Sequence, residues 1–295
     1  MTASAVAERD GAITTPDGRR LAYAEWGPAD GPVVLMFHGM PGSRLVCPDV
    51  DATARRGIRL VAVDRPGYGG SSPKPGRRIV DWAEDARSLL DDLAIPAASI
   101  VGWSSGGPYA LACAATLGER IRSVAVVAGD APLEAVPGAL TALPAAVQDL
   151  IARVRDDPTG DRRTAVAARC AWYAENPLSM IASADAHAAP DDPDAAARRR
   201  PDVRTALETM FTEGARQGAA GYVDDWIATV LPWGFRLVDV ARPVAIWWGD
   251  RDPLTPRADT EHLASAVPGA RLRIVSGEGH SLPFRHWSAV LDSLG

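Results

Sequence analysis

The chain has 295 residues and a mass of 31.1 kDa, with 47% hydrophobic and 23% charged residues. This is the composition of a globular, enzyme-sized protein, and it excludes wholesale disorder and fibrous repeats. A formal net charge of −6, with Lys74 the only lysine, argues against nucleic acid as a partner, because phosphate binding needs clustered cations.

No apolar run approaches the ~20 residues of a membrane helix. The first ten residues lack the basic start and apolar block of a secretory signal. The expectation is a cytoplasmic protein with no membrane partner.

Residues 11–15 and 20–26 flank the turn Pro16-Asp17-Gly18 and predict a hairpin. After Gly31-Pro32 the pattern changes to short, solid apolar runs at 33–37, 59–63, 99–102, 123–127, 244–248 and 272–275. Each ends in turn residues. Continuous rather than alternating apolar runs are what strands buried on both faces look like. Between them, residues 81–93, 107–117, 257–267 and 287–294 carry helical spacing, and Glu84 and Asp85 lie early in the first of these. Strand–helix alternation gives a mostly parallel sheet with helices on its faces, opened by an antiparallel hairpin.

The alternation stops between 133 and 237, where Ala-rich helical stretches are separated by Pro137, Pro144, Pro158, Pro177, Pro190, Pro193, Pro201 and Pro232. So long a stretch cannot be a plain loop in a compact domain. The expected organisation is an α/β core formed by 1–132 and 238–295, with a helical cap inserted at 133–237. Asp191-Asp192-Pro193-Asp194 and Arg198-Arg199-Arg200 read as the cap's solvated outer face. Cys47, Cys113 and Cys170 are odd in number and scattered, which fits neither a disulfide framework nor a zinc site.

Gly102-Trp103-Ser104-Ser105-Gly106-Gly107 follows an apolar strand and opens an apolar helix. G-x-S-x-G in that context is a nucleophile elbow, whose turn is too tight for side chains two positions either side of the serine. The serine needs a base, and the base an orienting acid. His280, in Gly277-Glu278-Gly279-His280 after the last strand, is the candidate base. Asp250 and Asp252 both follow the preceding strand; Asp252, fixed by Pro253, is favoured as the orienting acid, Asp250 as a loop-stabilising residue, with Asp130 a third candidate. His187, His262 and His286 have no carboxylate at metal-ligand spacing, so no metal is expected. The amides of Ser105 and Met40, the latter in His38-Gly39-Met40-Pro41-Gly42, are the candidate oxyanion donors, each worth ~2.7–4 kcal/mol of barrier.

These blocks, together with Asp64-Arg65-Pro66-Gly67-Tyr68-Gly69-Gly70-Ser71, resemble the α/β-hydrolase fold superfamily over essentially the whole chain. The resemblance implies a central eight-stranded sheet, a helical cap inserted after the sixth strand, and a Ser–His–Asp triad of Ser104, His280 and Asp252 where cap and core meet. The Asp64–Ser71 loop is similar to the superfamily's D-R-x-G-x-G-x-S segment and is assigned a packing role.

Haloalkane dehalogenases and related epoxide hydrolases have an aspartate in place of Ser104. Proline iminopeptidases are similar in the His38 and Asp64 segments, but have Gly at Met40 and use acidic cap residues, for which Glu175, Glu208 and Glu213 are the candidates here. The expected activity is cofactor-independent hydrolysis of an ester-type bond in a small, largely apolar molecule. Trp103, Trp172, Tyr173, Trp226 and Trp233 are expected to line the pocket, with His38, which holds the loop shape, also beside it. C–C bond cleavage, acyl transfer and low-turnover ligand binding are the alternatives on the same residues.

Overall fold

The computed structural model describes residues 7–157 and 161–295; Pro158 and the first six residues lie outside them. Eight strands form one sheet: β1 (Arg9–Thr14), β2 (Arg20–Trp26), β3 (Val33–Phe37), β4 (Arg59–Val63), β5 (Ala98–Trp103), β6 (Ile121–Val127), β7 (Val244–Gly249) and β8 (Arg271–Val275). Their spatial order is β1-β2-β4-β3-β5-β6-β7-β8. The β1–β2 and β2–β4 pairs are antiparallel and every later pair is parallel. The fold is therefore the expected α/β architecture, and the carboxyl ends of the parallel strands all open on one side.

The solid apolar runs divide by residue parity between the two faces of the sheet. Leu35, Phe37, Val61, Val63, Ile100, Val124, Val126 and Ile246 pack beneath α2 (Trp82–Asp92) and α3 (Gly106–Thr116). Val34, Met36, Leu60, Ala62, Val101, Ala125, Val127 and Trp247 pack on the other face, with α1 (Val50–Arg55) and α12 (Pro283–Asp292). Helix α3 carries no charged residue and is almost wholly buried. The helix α1 has no counterpart in the sequence reading, because its six residues are too few for a period to register; Asp49 caps it by accepting from the Ala52 amide at 2.8 Å.

Between β6 and β7 the described residues form no strand, only loops, a short 3-10 turn at Leu237–Asp239 and a series of α-helices. These are α4 (Ala139–Ala142), α5 (Ala145–Arg155), α6 (Arg162–Glu175), α7 (Ser179–Ala186), α8 (Pro193–Arg198), α9 (Pro201–Gly214) and α10 (Ala220–Val230). Helices α5, α6 and α10 share a separate small core of Leu150, Ile151, Val154, Val166, Cys170, Val223, Trp226, Ile227 and Val230. Residues of α7 and α9 instead join the core on the α12 side of the sheet. After this segment comes α11 (Arg257–Ala266), between β7 and β8. No described helix is long and apolar enough to cross a membrane. The three cysteines are free and buried.

Candidate active site

Ser104 stands between β5 and α3 with φ +55°, in the left-handed region that costs a non-glycine residue about 1–3 kcal/mol. The turn is held by hydrogen bonds from Ser104 N to Val127 O (2.8 Å) and from Gly107 N to Ser104 O (2.9 Å). The flanking glycines are sterically required. A Cβ on Gly102 would lie 2.5 Å from Gly106 O, and one on Gly106 would overlap the Phe37 carbonyl. The backbone crossing there has room for hydrogen atoms only.

His280 and Asp252 meet across 28 positions of sequence. The ring Nδ1 donates to Asp252 Oδ2 at 2.9 Å, with Oδ1 at 3.2 Å. Asp252 Oδ1 also accepts from the amides of Leu254 (2.8 Å) and Thr255 (3.0 Å), which locks the carboxylate within its own turn. Burial opposes a charge on His280, but the hydrogen bond and charge of Asp252, with the charges of Asp194 and Asp130, outweigh it and hold the ring above the ordinary histidine value.

Asp250 is exposed and its Oδ1 accepts from Gly277 N at 2.7 Å, tying the β7 turn to the β8 turn. Asp130 makes no hydrogen bond to His280. Burial and the neighbouring Asp259 push its carboxyl up to about 6.

Ser104 and His280 both line a cavity of about 160 Å³. Ser104 Oγ makes no hydrogen bond to the ring among the described residues; such contacts commonly close only around a substrate. The cavity floor is Gly39, Met40, Trp103 and Ser104, and its roof is Met180, Ile181, Leu207, Met210 and Phe211 from α7 and α9, with exposed Leu254 at the mouth.

The sequence places too many aromatics here. Trp103 does line the cavity, but Trp172 is 39% exposed on α6 and packs edge-on against Tyr173 and Tyr222. Trp226 faces the separate helical core, where Arg169 lies over its ring at 6.0 Å. Trp233 stacks on Phe235 in the core beneath the sheet. Tyr173 is buried, donating to Phe211 O at 2.7 Å. Tyr173, Trp226 and Trp233 fill apolar cores away from the cavity and Trp172 lies on the surface, while Met180, Ile181, Leu207, Met210 and Phe211 take the cavity wall instead.

His38 is fully buried behind the cavity and does not line it. Its Nδ1 pairs with Gly39 O at 2.7 Å and its Nε2 accepts from Arg65 N at 3.2 Å, which fixes a neutral ring. Burial, then the Arg65 charge, pushes its pKa well below the ordinary value.

Arg65, in the loop given only a packing role from sequence, holds the peptide beside Met40. Its guanidinium donates to His38 O and to Gly39 O, the latter at 2.9 Å. A trans peptide points its N–H opposite to its C=O, so anchoring the Gly39 carbonyl on Arg65 aims the Met40 amide the other way. Among the described residues neither that amide nor the Ser105 amide at the start of α3 has a protein acceptor.

Arg65 is in turn paired with Asp225 of α10 at 2.6 Å, and Asp225 also accepts from Arg77 Nη2 (2.6 Å) and Tyr109 Oη (2.7 Å). Burial alone would raise the Asp225 pKa, but Arg65 and Arg77 overwhelm it and hold the carboxyl well below its ordinary range. Asp225 and Arg65 lie 160 positions apart, so no local pattern could have paired them.

The block read as a solvated face also differs. Asp194 is only 6% exposed and lines the cavity, because its carboxylate is turned inward onto the His280 loop.

With this geometry, comparison with known proteins is decisive for the family. The model of the alpha/beta hydrolase fold matches residues 32–286, so the chain belongs to that family. It is 27% identical over 285 residues to a bifunctional esterase/perhydrolase of Acinetobacter calcoaceticus, covering 92% of this chain and 94% of that one. It is 27% identical over 277 residues to a 2-hydroxy-6-oxononadienedioate/2-hydroxy-6-oxononatrienedioate hydrolase of Burkholderia vietnamiensis, covering 90% and 86%. The crystal structure of the enol-lactonase from Burkholderia xenovorans shares the fold, with a TM-score of 0.67 at 20% identity over 96% of this chain and 99% of that one. The protein is a hydrolase.

Proposed function

We propose that this hydrolase cleaves an ester-type bond, in a carboxylester, lactone or thioester, of a small and largely apolar substrate through an acyl-enzyme on Ser104. The observation that carries the reading is the His280–Asp252 pair set on the same cavity wall as the strained Ser104. Ser104 Oγ attacks the carbonyl carbon while His280 Nε2 takes its proton. Asp252 keeps Nδ1 protonated and steadies the imidazolium, and the Met40 and Ser105 amides stabilise the oxyanion. Collapse expels the alcohol or thiol, which receives the proton from His280. His280 then deprotonates a water molecule, whose attack releases the acid and restores Ser104.

Size and polarity narrow the acyl group. A cavity of about 150 Å³ accommodates a benzene-sized group, and the roof here is apolar, formed by two methionines, Ile181, Leu207 and Phe211. The residues 133–237 act, on this reading, as the cap that shapes the acyl pocket. The names of the two relatives above, an esterase/perhydrolase and a hydrolase of an oxo-dienedioate, support acyl chemistry on this scaffold. The iminopeptidase alternative loses its basis, since Glu208 pairs with Arg204, Glu213 with Arg44, and Glu175 is exposed; none lines the cavity.

The test is intact-mass labelling of wild type and Ser104→Ala with a fluorophosphonate, beside a p-nitrophenyl ester series. One adduct on wild type alone, with turnover favouring short or compact acyl groups, supports the proposal. No adduct on wild type removes it. An adduct without ester turnover, or partitioning of the acyl group to added alcohol, transfers the reading to an acyltransferase or another acyl substrate.

A further inference from the structure

Asp194 is a buried carboxylate delivered to the His280 loop from 86 positions away. Helix α8 does not need it as a cap: Asp192 accepts from the amides of Asp194 (2.8 Å) and Ala195 (3.2 Å). The Asp194 carboxylate instead receives His280 N on Oδ2 at 3.0 Å and Ser281 N on Oδ1 at 2.6 Å. A Cβ on Gly279 would overlap this carboxylate, so the glycine before the histidine is what lets it seat. On the other side, Trp103 Nε1 donates to His280 O at 3.0 Å. The amide, the carbonyl and the ring Nδ1 of His280 are thus each held by a different element.

The charge on Asp194 is also without a counter-ion among the described residues. Arg198, one turn along α8, pairs with Asp185 and Asp192, and Arg251 pairs with Asp191. The two amides satisfy the carboxylate oxygens but bring no full positive charge, so a cation forming beside it is favoured. The proton uptake of His280 supplies one. The charged groups facing that ring are Asp252 after β7, Asp130 after β6 and Asp194 from α8, and all three favour its protonated form.

We propose that Asp194 is a positioning residue for His280, fixing its backbone and adding a negative charge that stabilises the imidazolium formed during acyl transfer. The catalytic half of this inference rests on the ester-type reading of Ser104; the coupling to His280 does not.

Two variants test it. Asp194→Asn keeps the size and one acceptor but removes the charge, and Asp194→Ala removes both. The His280 ring is titrated by NMR, its resonance assigned by loss in His280→Gln, alongside the pH dependence of kcat/KM. In Asp194→Asn the ring is expected to titrate about half a unit to one unit lower, with the acid limb of kcat/KM moving down with it. Asp194→Ala is expected to lose about ten- to a hundredfold in kcat with little change in KM.

A His280 titration in Asp194→Asn that overlays wild type overturns the proposal, whatever the rates do, and needs only the folded Asn variant. The ring titration uses no substrate. A shifted titration in a protein whose Ser104 takes no fluorophosphonate would therefore keep the coupling and remove only the ester-type reading.

Discussion

At His280 the donor bond from Nδ1 to Asp252 leaves Nε2 as the ring's one acceptor, the tautomer that can take a serine proton. On the proposed mechanism His280 is the base, and a base works only when neutral. Because its pKa is held above the ordinary 6.5, kcat/KM is expected to rise with pH to a plateau, with the half-point above 6.5. A half-point at or below that value in a stopped-flow or plate assay would contradict the assignment. Asp252→Asn is expected to lower kcat by about three to four orders of magnitude while circular dichroism stays that of wild type. If Asp130→Asn were the more damaging substitution, the orienting acid would have to be reassigned.

The chain spelled out Ser104, Asp252 and His280 because each sits at a strand end in a turn with its own glycine or proline. Asp194 and Arg65 were not legible as functional. A run of four residues with three acids looks solvated, and the hydrogen-bond partners of both are distant in sequence.

Among the elements, the parallel strands were readable to within two or three residues, since most of their positions are buried on both faces; the edge strand β8, with Arg271 and Arg273 exposed, is the exception to that burial. The helices between β6 and β7 were readable as helices but not in the direction they face. Trp226 fills the small helical core, Trp233 just past α10 the core beneath the sheet, and Trp172 stays exposed, and only packing decides which. The β5–α3 elbow is the element with least tolerance. Gly106→Ala forces a methyl group into the Phe37 carbonyl, and the crossing strand cannot yield without breaking the β3–β5 register. The expected result is a loss of at least about 2–3 kcal/mol of stability in urea unfolding, with fluorophosphonate labelling lost as well.

Across the whole molecule, the group with most at stake is Asp225. It is completely buried and receives two guanidinium groups and a tyrosine hydroxyl, Arg65 and Arg77 being buried as well. Removing one partner of such an assembly leaves charge stranded in the interior and costs about 3–5 kcal/mol. Asp225→Ala is therefore expected to lower the unfolding midpoint steeply, and to lower ester turnover in the protein that remains folded, because Arg65 then no longer has a fixed seat beneath the Gly39 carbonyl. A wild-type melting curve for Asp225→Ala would show the network to be dispensable.

The Arg65–Asp225 pair also bears on how such a chain can change over generations. A helical segment recombined in from a relative would arrive without a guarantee of an acid at that one depth, and would strand Arg65 and Arg77 of the recipient's loop after β4. Exchange of the segment as a unit is thus penalised, whereas point changes at Met180, Ile181, Leu207, Met210 or Phe211 leave the pair untouched. New substrate preferences in this lineage are expected to accumulate side chain by side chain along the roof, on an inherited frame.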